Sequence, residues 1–275
     1  MQTIKFSGEF FNVEDTLLCG QTFRFKKYLD GYLVISQDKI CYAYNKDGFA
    51  YIETEYPDYF INYFDLSTDY SKIVTTAYSY NIPILTSAVN YGKGIRILRQ
   101  NCEEMLYHFT ISQNNNIPRI KNTIEKIAQK FGKKINSPFG EYYAFPTSKE
   151  LSILSKDDLI DVGLGYRLPY ILEIASRIVN GLDLYAFNSL TETDLYNNLI
   201  KIKGVGDKVA NCIILFGYHK TKSFPVDTWI EKLYLEDFNG TLTSRLKMTS
   251  YFIDLFKEYS GYIQQYLFYY KRKDI

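Results

Sequence analysis

The apolar periodicity of this sequence changes once, near residue 91, and that change limits the folds open to the chain. Before it, GYLVISQDKICYAYNKDGFAYIET contains three short runs of β-branched and aromatic residues. Turn-forming residues at Gln37-Asp38 and at 45–48 separate these runs, which predicts an antiparallel meander. Pro57 and Asp58 then favour the start of a helix.

After residue 91, apolar residues recur at three- and four-residue spacing, which is typical of amphipathic helices. The pattern predicts helices in GIRILRQNCEEMLYHFTISQ, IPRIKNTIEKIAQKFG, SKDDLIDVG, RLPYILEIASRIVNG, TETDLYNNLIKIKG and GDKVANCIILFGYHK. A last helix is predicted over about 248–272, with a break near Gly261. We therefore predict an α+β fold, with an antiparallel β-rich domain over 1–90 and a mainly helical domain over 91–275.

Composition limits the chemistry. The four cysteines are isolated and there are only two histidines, which disfavours a zinc ribbon, a thiol redox motif or a local iron–sulfur loop. We expect no cofactor and no catalytic metal, and chemistry based on lysine, carboxylates and backbone dipoles. No apolar run reaches the ~18 residues of a membrane span, and MQTIKFSGEFF lacks a signal-peptide layout. The prediction is a cytoplasmic protein without a membrane partner.

The stretch KGVGDKVANC places a lysine where a helix is expected to begin. A helix N-terminus is electrostatically unfavourable for a cation, so Lys208 requires an explanation. Gly204 and Gly206 permit a tight turn around Val205, and the free N–H groups of the second helix favour phosphate binding there. Taken alone, this pattern is equally typical of a plain αα-hairpin.

The surrounding sequence resembles one family closely. IKGVGDKVANC followed by SFPVDTW is similar to the signature of the helix-hairpin-helix DNA glycosylases, in particular the 8-oxoguanine DNA glycosylase branch. GQTFRF, SQNNNIPRI and GLGYRLPYI also resemble segments of that family, so the resemblance extends from residue 20 to residue 268. It implies a monomeric, nucleoid-associated glycosylase and abasic-site lyase that acts on double-stranded DNA containing 8-oxoguanine opposite cytosine.

The resemblance implies two catalytic residues. Lys208 matches the nucleophile that attacks the sugar carbon carrying the damaged base, forms a Schiff base and permits strand cleavage by β-elimination. A helix N-terminus disfavours the ammonium form, so a position unfavourable for a structural cation suits a reactive amine. Asp227 matches a carboxylate that stabilises the cationic sugar. Its position before TWIEKL also favours helix capping, and the two roles are compatible.

The resemblance also implies a base pocket. Gln264 matches a glutamine that bonds the purine edge, while Phe268 and Cys212 match the residues that cover its two faces. Gly20 matches a glycine whose carbonyl accepts a hydrogen bond from N7–H, which 8-oxoguanine has and guanine lacks. A repelled polar group there costs roughly 1–3 kcal/mol, which separates the two bases about tenfold to more than a hundredfold. Taken alone, Phe268 and Cys212 are also typical core residues.

Enzymes that act on a base in a duplex flip it out and fill the gap. Asn114 matches the family's wedge asparagine, and Arg119 matches an arginine that reads the orphaned cytosine. Tyr166 and Arg167 match further opposite-strand contacts. Without the wider resemblance, an Asn-rich loop of this kind indicates only a turn.

One position departs from the family pattern. Trp229 stands where the family usually has a histidine that contacts the DNA backbone, which places that interaction in doubt. The hairpin carbonyls of Ile200, Ile202 and Val205 match a cation site beside phosphate in relatives, which we treat as structural. Two alternatives remain open: a non-catalytic helix-hairpin-helix DNA-binding protein, and a glycosylase for another damaged purine.

Overall fold

The N-terminal part of the chain forms a five-stranded antiparallel sheet with the order β1-β5-β4-β3-β2. The computed structural model describes residues 1–273. The strands are β1 Gln2–Ser7, β2 Phe25–Tyr28, β3 Gly31–Ser36, β4 Lys39–Lys46 and β5 Phe49–Thr54. The predicted meander is confirmed.

Both predicted turns close hairpins with two turn residues each, at 37–38 and 47–48. Gln37 has a φ of 55°, Asp47 of 49° and Gly48 of 77°. Positive φ at the first turn residue, or at both, produces the primed turns whose twist matches that of paired strands. The turn residues therefore fix the register of the sheet.

α-Helices make up most of the remaining chain. Within residues 1–273 they are α1 Val13–Leu18, α2 Pro57–Tyr63, α3 Tyr70–Ser79, α4 Pro83–Gly92, α5 Cys102–Ile111, α6 Ile117–Phe131, α7 Ser148–Ser152, α8 Leu168–Val179, α9 Glu192–Leu199, α10 Asp207–Gly217, α11 Thr228–Asp237, α12 Arg245–Phe256 and α13 Ser260–Lys271. A small hairpin of β6 Lys134–Ser137 and β7 Gly140–Tyr143 follows α6. Throughout the described part of the chain, every helix is too short or too polar to cross a bilayer. The predicted α+β class is confirmed.

The helix predicted from residue 94 begins only at the start of α5, so this part of the prediction was wrong. Residues 94–101 have no regular structure. The N–H groups of residues 96–100 bond to atoms in other parts of the fold. The Ile97 N–H donates to the Tyr70 hydroxyl at 2.7 Å, and the Leu98 N–H donates to Gln21 Oε1 at 2.8 Å. Because distant partners satisfy these donors, the segment does not need helical bonds.

The break in the last predicted helix also lies elsewhere than expected. Lys257, between α12 and α13, has a φ of 53° and interrupts the helix there. Gly261 lies inside α13, and its N–H donates to the Thr221 carbonyl at 2.7 Å. A Cβ at Gly261 would lie 2.3 Å from Leu215 Cδ1, so this glycine permits close packing and does not end the helix.

The largest hydrophobic core unites helices from both sides of the predicted domain boundary. Tyr70 of α3, Leu85 of α4, Met105 of α5, Leu215 of α10 and Ile263 of α13 all belong to it. Helix α13 packs against α4, and α10 packs against α5. The boundary at residue 90 stays a prediction. The shared core fixes the loop after α1 relative to α10 and α13.

Asp65 is a fully buried carboxylate beside this core. It accepts hydrogen bonds from Arg99 Nε at 2.7 Å and Thr68 Oγ1 at 2.8 Å, and His219 Nε2 lies 3.5 Å away. Burial alone raises the pKa of Asp65, but the His219 and Arg99 contacts outweigh burial and hold that pKa below its ordinary value. The carboxylate is therefore charged and paired in the folded protein.

Replacing Asp65 by asparagine is expected to lower the free energy of unfolding at pH 7 by about 2–3 kcal/mol. A broken, fully buried pair typically costs about 3–5 kcal/mol, and the loss is smaller here because the Arg99 side chain is 36% exposed. Since the folded pKa lies below the unfolded one, this stabilisation is complete above the unfolded pKa and is lost as the pH falls through the folded pKa.

Urea unfolding at pH 7 and at about pH 3 would measure the effect. The difference in the free energy of unfolding between wild type and Asp65→Asn should be smaller at about pH 3 than at pH 7. The exposed residue Asp161 provides a control, since Asp161→Asn should have the same free energy of unfolding as wild type at both pH values. Equal stability of wild type and Asp65→Asn at pH 7 would show that the pair does not stabilise the fold.

Candidate functional site

A cleft of about 730 Å³ opens between the loop after α1, the α5–α6 loop, and the N-terminal ends of α10 and α11. Its lining includes Gly20, Asn114, Lys208, Asp227 and Phe268. The fold thus brings together residues from all parts of the predicted site. A concave surface with a few convergent polar groups is typical of a binding or catalytic site.

Lys208 lies in the first turn of α10, as the sequence predicted. The N-cap of this helix is Gly206, which supplies no side-chain hydrogen bond to the first-turn N–H groups. The Lys208 side chain is half-buried, and its Nζ lies 5.2 Å from the centre of the Phe109 ring. The amine therefore lies in the cleft next to uncapped backbone donors and an aromatic wall.

Asp227 is the N-cap of α11, which confirms its predicted capping role. Its Oδ1 accepts hydrogen bonds from the N–H groups of Trp229 and Ile230, both at 3.0 Å. These two bonds fix the orientation of the carboxylate. The second oxygen, Oδ2, is left to act on a bound molecule, because capping uses Oδ1 alone.

A small inner pocket of about 30 Å³ adjoins the cleft. It is lined by both predicted catalytic residues and all four predicted base-pocket residues, namely Lys208, Asp227, Gly20, Cys212, Gln264 and Phe268. A volume of this size has room for roughly one or two water molecules. A purine enters only if the side chains lining the pocket move.

Two side chains account for the small size of the inner pocket. A Cβ at Gly20 would lie only 3.1 Å from Cε1 of Phe268, so the phenylalanine ring packs directly on the glycine. Gly20 has a φ of 85°, a conformation that glycine adopts without strain. The Gln264 amide donates to the Pro225 carbonyl at 3.2 Å. Movement of Phe268 would uncover the Gly20 backbone.

Burial raises the pKa of the Cys212 thiol above its ordinary value, and the nearby Lys208 opposes this shift only in part. The thiol is therefore neutral at physiological pH, and it offers a soft, polarizable surface. This fits a residue that packs against a flat ring and does not act as a nucleophile.

The hairpin turn between α9 and α10 needs glycine at one position and leaves space at another. Gly204 has a φ of 88°, and a Cβ there would lie 2.6 Å from Cγ of Tyr170. At Gly206 a Cβ would meet nothing within 4 Å. The open side of Gly206 leaves the first N–H groups of α10 accessible, as phosphate binding requires.

The predicted cation carbonyls lie in the same turn. The Ile202 carbonyl accepts the Val205 N–H at 3.0 Å and keeps a second lone pair. The Ile200 side chain is exposed, whereas that of Val205 is buried. A cation bound by the carbonyls of these three residues stays a prediction.

The four predicted opposite-strand residues divide into two groups. Asn114, Arg119 and Tyr166 are exposed at the surface around the cleft. Arg167 is 4% exposed, and its guanidinium donates to the backbone carbonyls of Gln113 and Asn114. In this structure Arg167 holds the Asn-rich loop, and its predicted contact with cytosine would require the guanidinium to leave these bonds.

Sequence reasoning missed several residues that line the cleft, including Phe109, Gln113, Arg245 and Arg272. Arg272 follows Phe268 by one helical turn, and its guanidinium lies 4.9 Å from the centre of that ring. The spacing of four residues between Phe268 and Arg272 places both on one helix face, and this spacing was the sequence signal for Arg272. Trp229, which stands where the family usually has a histidine, also lines the cleft.

An antiparallel sheet joined to a helical bundle, with a glycine hairpin followed by a lysine that lines the same pocket as a capping aspartate, is typical of a helix-hairpin-helix DNA glycosylase. A family profile described as the N-terminal domain of 8-oxoguanine DNA glycosylase matches residues 3–106. The chain is 36% identical to the Clostridium acetobutylicum 8-oxoguanine glycosylase/lyase, solved with double-stranded DNA containing cytosine opposite 8-oxoguanine. That match covers 96% of this chain and 92% of the other, with a TM-score of 0.91. The chain belongs to the 8-oxoguanine DNA glycosylase family within the HhH-GPD superfamily. Members of that family are DNA glycosylase/lyase enzymes.

Curated relatives agree with this assignment. The Saccharomyces cerevisiae N-glycosylase/DNA lyase is 36% identical over 53% of this chain, a match that spans only 42% of the yeast protein. A probable N-glycosylase/DNA lyase of Methanothermobacter thermautotrophicus is 29% identical over 76% of this chain and 73% of its own length.

Proposed function

We propose that this protein excises 8-oxoguanine opposite cytosine from duplex DNA and cleaves the resulting abasic site by β-elimination. The observation that carries the proposal is the inner pocket, which is lined by Lys208, Asp227, Gly20, Cys212, Gln264 and Phe268. Its DNA partner is double-stranded DNA that contains the lesion. A monomer located at the nucleoid is part of the same proposal.

In the proposed reaction, the purine leaves the stack and enters the inner pocket as Phe268 moves off Gly20. Phe268 and Cys212 cover the two faces of the base, and Gln264 exchanges its bond with Pro225 for the purine edge. The Gly20 carbonyl accepts the N7–H of 8-oxoguanine. Guanine presents a lone pair at N7, so the same carbonyl repels it.

The chemical step begins when the bond between C1′ and the base breaks. Asp227 stabilises the positive charge that develops on the sugar, because its carboxylate is held in place by two backbone N–H groups. The Lys208 amine then bonds to C1′ and gives a proton to the base, which left with the electron pair of the broken bond. Transfer of a second proton from the nitrogen to O4′ opens the sugar ring and gives a Schiff base. Loss of a C2′ proton then expels the 3′ phosphate and cleaves the strand.

Release of the base from duplexes with 8-oxoguanine opposite each of the four bases tests this function. We expect release opposite cytosine to be at least about tenfold faster than opposite the other bases, since a good arginine–base contact discriminates by about 1–3 kcal/mol. Arg119→Ala should remove most of that preference. Lys126→Ala removes an exposed cation from the same helix and should keep it.

Equal rates opposite all four bases would contradict the role of Arg119. Absence of 8-oxoguanine release from every duplex would overturn the proposed function. Release of an alkylated purine in its place would support the alternative glycosylase.

A further inference from the structure

Three segments beside the cleft meet at one residue, Gln113. We call residues 112–116 the wedge loop, 163–167 the opposite-strand loop and 200–206 the hairpin turn. Gln113 of the wedge loop donates its side-chain amide to the Gly204 carbonyl at 2.7 Å. The same amide donates to the Thr110 carbonyl at 3.1 Å. Gln113 thus connects the wedge loop to the turn that precedes Lys208.

The backbone of Gln113 binds the opposite-strand loop. Its carbonyl accepts hydrogen bonds from Arg167 Nε at 2.8 Å and from the Tyr166 hydroxyl at 3.3 Å, and Arg167 Nη2 also donates to it. Arg167 Nη2 bonds the Asn114 carbonyl as well, at 3.0 Å. Charge-assisted bonds of this kind are stronger than neutral ones, so the guanidinium holds the wedge-loop backbone firmly.

Packing against Tyr170 of α8 joins the other two segments. The Gly204 backbone lies on the Tyr170 ring, where even a Cβ would collide. The Tyr170 ring meets the Tyr166 ring edge-on, with centroids 6.4 Å apart. The hairpin turn and the opposite-strand loop therefore form one surface, to which Gln113 attaches the wedge loop.

Asn114 is held in an uncommon conformation by this arrangement. Its φ is 44°, a left-handed value that costs a non-glycine residue of order 1 kcal/mol. Its side-chain amide donates to the Tyr166 hydroxyl at 3.2 Å. A conformation of this kind persists where neighbouring contacts fix the backbone, and Gln113 is the adjacent residue that supplies them.

We propose that Gln113 is a positioning residue that fixes Asn114 in readiness to fill the gap left by the flipped base. It does so by tying the wedge loop to the hairpin turn and to the opposite-strand loop. This proposal rests on the proposed function, because it assigns Asn114 the wedge role. Gln113 itself acts through Asn114 and need not touch the damaged base.

A double-mutant cycle tests the proposal. Rates of 8-oxoguanine release from the duplex with cytosine opposite the lesion are compared for wild type, Gln113→Ala, Asn114→Ala and the double variant. Gln113→Ala should slow release about tenfold, as expected for a lost hydrogen bond of about 1.4 kcal/mol. In the Asn114→Ala background, the same change should slow release less than about twofold, because coupled residues are not additive.

Gln129→Ala provides the matched control. Gln129 is an exposed glutamine of α6 whose side-chain amide donates to Glu125 Oε1 at 3.0 Å, away from the wedge loop, so its removal should leave the rate unchanged. If Gln113→Ala does not fold, Gln113→Met keeps the side-chain length, removes the amide donor and takes its place in the cycle.

The outcomes separate the two proposals. Absence of base release by wild type would overturn the proposed function. Normal release by wild type with equal tenfold losses in both backgrounds would overturn the positioning role, because a merely structural effect does not depend on Asn114. An unchanged rate in Gln113→Ala would overturn it as well.

Discussion

Replacing Lys208 by glutamine is expected to remove the covalent protein–DNA adduct that borohydride traps on a duplex with 8-oxoguanine opposite cytosine. Glutamine keeps much of the side-chain length but has no nucleophilic amine, so no Schiff base forms. We expect the adduct yield to fall at least about 1,000-fold, as is typical when a nucleophile is removed. DNA binding should persist, because the N–H groups at the start of α10 remain in place.

Lys201→Gln is the matched control for this experiment. Lys201 is an exposed cation of the hairpin turn, and its removal takes the same charge from the same surface. The adduct should still form with this variant. Loss of the adduct in both variants would mean that adduct formation depends on positive charge near the hairpin and not on the Lys208 amine itself.

Replacing Asp227 by asparagine is expected to slow release of the base about 100- to 1,000-fold, the range observed when one preorganised group is lost from a transition-state site. Asparagine caps helices about as well as aspartate, so the two hydrogen bonds to Trp229 and Ile230 should survive. The variant therefore removes the charge that stabilises the cationic sugar and keeps the geometry.

Two measurements check this expectation. Single-turnover release of 8-oxoguanine gives the rate, and thermal unfolding shows that the cap is intact. Asp69 is also an N-cap aspartate, of α3, and Asp69→Asn should leave the rate unchanged. A fall of less than about threefold in Asp227→Asn would contradict the charge-stabilising role.

Local chemistry explains why much of the fold was predictable. The turns at 37–38 and 47–48, the start of α2 at Pro57 and the Asp227 cap all depend on residues within a few positions of each other. Turn types and caps follow directly from such short-range patterns. The resemblance to a family then identified six of the residues that line the inner pocket, but not Phe109, Phe216, Pro225 or Gln265.

The features that were not predictable depend on distant partners. Residues 96–100 lack helical bonds because distant groups, such as the side chains of Gln21 and Tyr70, satisfy their N–H groups. Arg167 is buried because the wedge-loop carbonyls lie within its reach. A single sequence does not reveal such pairings, since they arise only when the chain is folded.

The small volume of the inner pocket was also beyond sequence reasoning. It depends on how the Phe268 ring of α13 packs on Gly20, a residue at the opposite end of the chain. In the proposed reaction, side chains of α13 must therefore move before a base can enter the pocket. Arg272 lies over the same ring and would move with it.

The most direct test of this account is to identify the residue that becomes covalently attached to DNA. Wild-type protein is reduced with borohydride on the duplex with 8-oxoguanine opposite cytosine, digested with a protease, and analysed by mass spectrometry. The account predicts a sugar-derived mass on Lys208, in the peptide that spans the start of α10. Attachment at another lysine, or at the N-terminal amine, would contradict it.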